Sequence, residues 1–161
     1  MLLSEVFAGK SGIDTVVGEF HTKTVVLTAA QIDALSVTPV EIIPAPGAGK
    51  VIVPITGLAE LAWETIAYID NGAASPGCTG SIKFTYTDDT GTNVWAWLNS
   101  ANFLDKEETV TAALPPYTHD SAVLQIGGVN APVVAWGSSD WDSGDSPVSI
   151  TLVYMILSTT V

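Results

Sequence analysis

The sequence predicts an all-β fold, an antiparallel sandwich or barrel with one short helix near residues 28–35. Three observations carry this expectation. Short runs rich in valine, isoleucine, threonine and aromatics recur along the chain. Glycine and proline turn signals separate them at short intervals. A long helical period is nowhere to be found.

Residues 1–22 are punctuated by Gly9, Gly12 and Gly18 and show weak periodicity. They read as an N-terminal arm, with Thr15 to Val17 as a strand candidate. Residues 23–161 then read as a single domain. Thr22 to Leu27 is the first firm strand. Thr28 and Gln31 form a Thr-x-x-Gln capping box, and Ile32 and Leu35 share one helical face. The helix should stop near Ser36, where β-branched residues begin. Val37 to Ile43 reads as a strand that Pro39 confines to an edge or a bulge, because proline donates nothing to the ladder. Pro44 to Gly49 is a glycine-closed turn, and Lys50 to Ile55 is the next strand.

After Pro54 the pattern is ambiguous, and a strand from about Leu61 to Ile69 is the favoured assignment. Asp70 to Gly80 is a loop. Ser81 to Thr87 alternates, with Ile82, Phe84 and Tyr86 on one face. Asp88 to Asn93 is a turn and Val94 to Leu98 a return strand, so the two runs predict a hairpin. Asn99 to Leu104 is irregular or one helical turn. Strands follow at Glu108 to Leu114, Ala122 to Ile126 and Pro132 to Trp136. A loop from Gly137 to Pro147 leads to the last strand, Val148 to Leu157. That strand starts by alternating and ends continuously apolar, which predicts burial on both faces.

One stretch carries a resemblance. Leu27-Thr28-Ala29-Ala30-Gln31-Ile32, then Thr38-Pro39-Val40, then Pro44 through Ile52, are similar to a module of structural proteins from tailed bacteriophages. The motif covers residues 27–53. The resemblance implies a jelly-roll-like antiparallel β-sandwich, often trimeric. It also implies a role as a capsid decoration (cement) protein or as part of a tail or fibre. It brings no catalytic residues and no cofactor.

Composition narrows the partners. The chain has 161 residues, of which 47% are hydrophobic and only 14% charged. Soluble domains usually carry roughly a quarter charged residues. So sparse a charge cover points to an oligomer or to docking on a larger assembly. Net charge is −12, and the five basic residues are all lysines. Phosphate and base recognition needs a basic footprint, with arginine for bidentate contacts, so the expectation is no nucleic-acid partner. An acidic exterior also repels anionic membranes. No apolar run reaches the length of a membrane-spanning helix. The start, Met1 to Glu5, does not read as a secretory signal. The lone Cys78 leaves no internal disulfide and no multi-cysteine metal site.

Several fragments invite chemistry and fail its requirements. Gly49-Lys50 lacks the first glycine and the following Ser or Thr of a phosphate loop, and it leads into a strand rather than a helix. Asp89-Thr90-Gly91 has the aspartic-protease residue types, but a polar approach in a hairpin is not the buried strand end that two proton-sharing carboxylates need. His119-Asp120-Ser121 offers triad residue types, yet consecutive residues do not converge on one point, and no nucleophile elbow is present. Two histidines and one cysteine make a poor zinc set. Asp140, Asp142 and Asp145 form an oxygen-rich loop, the one calcium candidate; the EF-hand pattern fails because its twelfth position is Thr151.

The expectation is therefore a virion protein without catalysis, made in the host cytoplasm and placed on the capsid surface. Its partner would be the major capsid protein and its state a homotrimer. Leu2, Leu3, Val6 and Phe7 on the arm would contact the lattice. Ile150, Leu152, Tyr154 and Ile156 would form sheet or trimer core. The alternative is a tail-fibre or receptor-binding tip that stacks a host glycan on Trp95 and Trp97, which share one face of a strand.

Overall fold

The computed structural model describes residues 19–70, 78, 80–86, 94–115 and 129–158. These form β1 (Glu19–Leu27), α1 (Ala29–Asp33), β2 (Val40–Ile43), β3 (Lys50–Leu61), β4 (Ile69–Asp70) and β5 (Ser81–Tyr86). After them come β6 (Val94–Asn99), a 3-10 helix (Ser100–Asn102), β7 (Val110–Leu114), β8 (Val133–Gly137), β9 (Trp141–Asp142) and β10 (Val148–Ser158). Two four-stranded sheets stack, in the orders β1-β10-β3-β7 and β2-β8-β5-β6, and β4 pairs with β9 as a small ribbon. Every pairing is antiparallel. With β4 and β9 set aside, the remaining strands switch sheets in the order of a jelly roll. The sandwich, the hairpin of β5 and β6 and the short helix are as the sequence predicts.

The capping box forms. Thr28 is extended (φ −73°, ψ 159°), and its hydroxyl accepts from the Gln31 N–H at 3.3 Å. The Gln31 side chain accepts in return from the Thr28 N–H at 2.9 Å. Ile32 and Leu35 are fully buried and plug the sandwich interior. The strand expected from Val37 starts only at Val40. The Ala34 carbonyl accepts from the N–H groups of Val37 (3.1 Å) and Thr38 (2.7 Å), so those residues complete the turn after α1. Pro39, without a donor, then marks where the ladder begins.

Two further boundaries differ. β1 starts at Glu19, so residues 19–22, expected in the arm, belong to the sheet. β3 is one strand of 12 residues running through Pro54 and Gly57. A bulge absorbs the proline: Pro54 pairs with Tyr154 and Thr56 with Val153, leaving Ile55 outside the register. β7 reaches only Gly57 to Leu61, so among the described residues β3 beside Pro54 has a ladder neighbour on one side alone.

The strand expected from Leu61 to Ile69 does not form beyond Leu61. Residues 62–68 satisfy their backbone from loops instead. Ala62 donates to the Pro147 carbonyl (3.0 Å), Trp63 to Thr109 Oγ1 (3.3 Å) and Glu64 to Ser146 Oγ (2.9 Å). With those N–H groups taken, no ladder partner is needed. The strand candidates at 15–17 and 122–126 and the turn at 88–93 lie outside the described residues.

β10 lies between β1 and β3, and its inward residues Val148, Ile150 and Leu152 have no exposed surface. Phe84, Ile82 and Leu61 meet them from the other strands in one continuous core. Tyr154 is 9% exposed and stacks on His21, with ring centroids 5.3 Å apart, while Ile156 packs at the margin. Gly57 sits where β3 crosses this core. A Cβ there would stand 2.8 Å from Leu152 Cδ2 and 2.9 Å from the Thr151 carbonyl oxygen. The second of these is backbone and cannot turn away. Gly57→Ala should therefore lower unfolding stability by about 1–3 kcal/mol, read from chemical denaturation.

Candidate functional site

The acidic loop before β10 is where the sequence placed its one metal candidate, and its carboxylates are turned to structural use. Asp145 Oδ1 accepts from the N–H groups of Thr65 (3.1 Å) and Ile66 (3.0 Å) and from Ser146 Oγ (3.2 Å), and the Thr65 hydroxyl donates to Oδ2. These bonds favour the charged carboxylate, so its pKa falls from the ordinary 3.8 to about 2; the Thr65 hydroxyl is the largest cause. Asp140 accepts from the Ser36 hydroxyl, and Asp142 Oδ1 from the Ser143 N–H at 2.7 Å. The three carboxylates thus go to three different partners. Among the described residues, no group of three or more His, Cys, Asp or Glu side chains is placed to hold a metal ion. The loop is a clamp on the segment 62–68.

Tyr68 is what the clamp closes on. It is fully buried, and its hydroxyl donates to the Ser146 carbonyl at 2.7 Å. Burial raises its pKa, and the nearby charges of Asp33, Asp145 and Glu64 raise it further. Gly144 lies against its ring so closely that a Cβ would come within 2.1 Å of Cδ1. The buried Cys78 thiol donates to the Tyr68 carbonyl at 2.9 Å. Trp141, 3% exposed, contributes the ring that Gly137 approaches. Asp33, at the end of α1, has its pKa raised by burial and then by Asp142, and its Oδ1 is buried without a hydrogen-bond partner. That charge is a local cost.

The Gly47-Ala48-Gly49-Lys50 segment is a turn. Gly47 and Gly49 have positive φ, 101° and 70°. The Gly47 N–H donates to Asn130 Oδ1 at 2.9 Å, and the Asn130 N–H donates to the Lys50 carbonyl at 2.7 Å. The amide a phosphate would use is already taken. Asn130 itself has φ 62°, a conformation asparagine tolerates. Sequence reasoning missed both Asn130 and Tyr68. Asn130 at the head of a turn carried a weak signal; Tyr68 carried none.

Trp97 is the register partner of Lys83, and Lys83 is the partner of Trp136 on the other side. Lys83 Nζ lies 4.8 Å from the centroid of the Trp136 ring, a cation–π contact. Trp95 falls at the bulge between Phe84 and Thr85 in the β5–β6 register. The side chains of Trp95 and Trp97 lie outside what the structure describes, as do Leu2, Leu3, Val6, Phe7, the Asp89-Thr90-Gly91 turn and the His119-Asp120-Ser121 run.

The outward side of the β1-β10-β3-β7 sheet is a different kind of surface. Thr24 and Thr151 are paired there through their hydroxyls at 2.9 Å. Phe20, Val26 and Leu58 stand on it at 67%, 56% and 53% exposure, half of the large exposed hydrophobics among the described residues. Glu60 is the one charged side chain on its described positions.

No protein family and no curated protein matches the chain in sequence. Among solved structures, the Cyanophage Pam1 capsid asymmetric unit is similar at a TM-score of 0.41 and 12% identity, over 91% of each chain. No helix among the described residues is long and apolar enough to cross a membrane.

Two measurements check the clamp. Asp145 has a folded pKa below its unfolded one, so its stabilisation is complete above pH 3.8 and is lost as pH falls toward about 2. The wild type should lose melting temperature across that window, and Asp145→Asn should be less stable at pH 7 with a flatter acid slope. Asp33 has the opposite sign. Asp33→Asn should raise the melting temperature at neutral pH, with the gain vanishing below pH 3.8.

Proposed function

We propose that this chain is a structural protein of a tailed-bacteriophage virion, a capsid decoration or cement protein that binds the capsid lattice as a homotrimer. The observation that carries the reading is the place of the phage-like stretch in the fold. Residues 27–53 form the end of β1, α1, β2, the Asn130-tied turn and the start of β3. That run crosses between the two sheets of a jelly roll, the fold the resemblance implies. A chain with net charge −12 and no arginine supports a protein partner over nucleic acid.

The mechanism is mechanical rather than catalytic. A closed oligomer presents one copy of the same contact surface to each of several capsid subunits, and contacts that are weak singly add by avidity. The arm residues Leu2, Leu3, Val6 and Phe7 are the proposed lattice contact. The partner is the major capsid protein and the location is the capsid surface.

The purified protein should co-sediment with undecorated capsids, saturably and with fixed stoichiometry, and should raise the temperature at which they rupture. A stable monomer that leaves capsids unbound would defeat the reading. Deletion of residues 1–8 should reduce capsid binding by at least about tenfold while leaving the melting temperature of the domain unchanged.

A second reading is a receptor-binding tip. The contact of Lys83 with the Trp136 ring, 4.8 Å from Nζ to centroid, favours it, because an aromatic ring beside a cation can stack a sugar, and Trp97 is the backbone register partner of Lys83 on the neighbouring strand. On a glycan array, specific binding that disappears in Trp97→Ala would establish it, and a blank array would remove it.

A further inference from the structure

The outward face of the β1-β10-β3-β7 sheet is laid out for a protein surface like itself, and we infer that a second copy of this chain is seated on it. The inference rests on the reading of the chain as an assembling protein, and it names one surface through which copies meet, a face-to-face contact of two-fold symmetry distinct from the contacts that close a trimer.

Charge selects the face. The chain carries 17 acidic residues against five lysines. Two copies brought together at random therefore place carboxylate against carboxylate, and each such contact at short range is unfavourable. On this face the described positions of β1, β10, β3 and β7 offer Glu60 as their single charge. The rest is threonine, serine, aliphatic and aromatic, with Phe20, Val26 and Leu58 more than half exposed. A basic partner gains little from so neutral a surface. A neutral partner matches it, and another copy supplies a neutral surface by construction. With a screening length of about 8 Å at physiological salt, carboxylates outside such a contact repel weakly across it.

Shape and size agree. Nine residues of β1 at about 3.4 Å each, by four strands at about 4.8 Å, give a flat area on the order of 500 Å². Val51 and Val53, on this side of β3, are already buried within the chain, so the open part of the face lies toward Thr24, Val26 and Leu58 and is smaller than the ~800 Å² per partner of a standard interface, the size of a concentration-dependent contact. Threonines such as Thr22 and Thr24 keep the face polar enough for the free chain to stay in solution, and short enough for two sheets to approach. A competing route to self-association is strand addition at β1, an edge of this sheet among the described strands. Lys23 is exposed on that edge strand, and an edge lysine disfavours strand addition.

The test is molar mass by light scattering across a concentration series, with circular dichroism to confirm folding. The wild type should show a multiple of the monomer mass. Leu58→Glu and, independently, Thr24→Lys should each weaken association by about 30-fold or more, while Val37→Glu, at a still more exposed apolar site in the turn after α1, should not. A monomeric wild type, retention of mass by both face variants, or equal dissociation by Val37→Glu would overturn the inference. Capsid co-sedimentation of the same samples separates the two proposals. A wild-type oligomer that ignores capsids defeats the functional reading alone. An unaltered oligomer in both face variants, still binding capsids, defeats this inference alone.

Discussion

Everything in this molecule depends on β10 being flanked on both sides. Nine of its eleven residues pair with β1 along one edge and all eleven with β3 along the other. The two neighbours come from the first half of the chain and β10 from its end, so the β1–β10 ladder closes the longest loop among the described strands. Loop closure costs entropy that rises only slowly with length. The return is burial of Val148, Ile150 and Leu152 without exposed surface, each offsetting on the order of 1.5–3 kcal/mol by transfer from water. Gly57 is the local condition for that burial. It lets β3 pass close enough to β10 for Leu152 to fill the core, and a single added carbon is met by backbone.

The acidic residues show how the same chemistry serves different ends in different surroundings. Asp145 receives two backbone N–H groups and two hydroxyls and so prefers its charge. Asp33 is half-buried near Asp142 with an unpartnered oxygen, and so resists its charge. Both face the region of Tyr68. The balance holds because the favourable carboxylate also organises the strandless segment 62–68, whose backbone would otherwise lack partners. A loop that looked like a ligand site is one long-range substitute for a β-ladder.

Charge distribution is the link from fold to assembly. A sandwich has two outward faces, and binary alternation along its strands decides what they carry. On β1 and β10 the outward positions are threonine, serine, valine, methionine, leucine and phenylalanine, while Glu19, His21 and Lys23 fall on the opposite parity, at the rim. A one-residue register slip would put those charges on the face. The register is fixed from inside, by Leu27 and Ile150 in the core, so core packing also keeps the outer face neutral.

The sequence alone determined the fold class and most of the local structure. The Thr28–Gln31 box, the hairpin of β5 and β6, the turn at Gly47 and Gly49 and the last strand were legible because each rests on residues within a few positions of one another. Alternation also identified Ile82, Phe84 and Tyr86 as core. Tertiary structure decided the rest. Whether β3 ended at Pro54 depended on a bulge opposite Tyr154, a residue a hundred positions away. Whether 62–68 became a strand depended on Ser146, Pro147 and Asp145 reaching its amides first. The partners of Asp140, Asp142 and Asp145 could not be read from their spacing, because acceptors are chosen by whichever donors the folded chain brings near. Local hydrogen bonds and periodicity are written in neighbouring residues. Competition for backbone donors, and the neutrality of a sheet face, exist only once distant strands have taken their register.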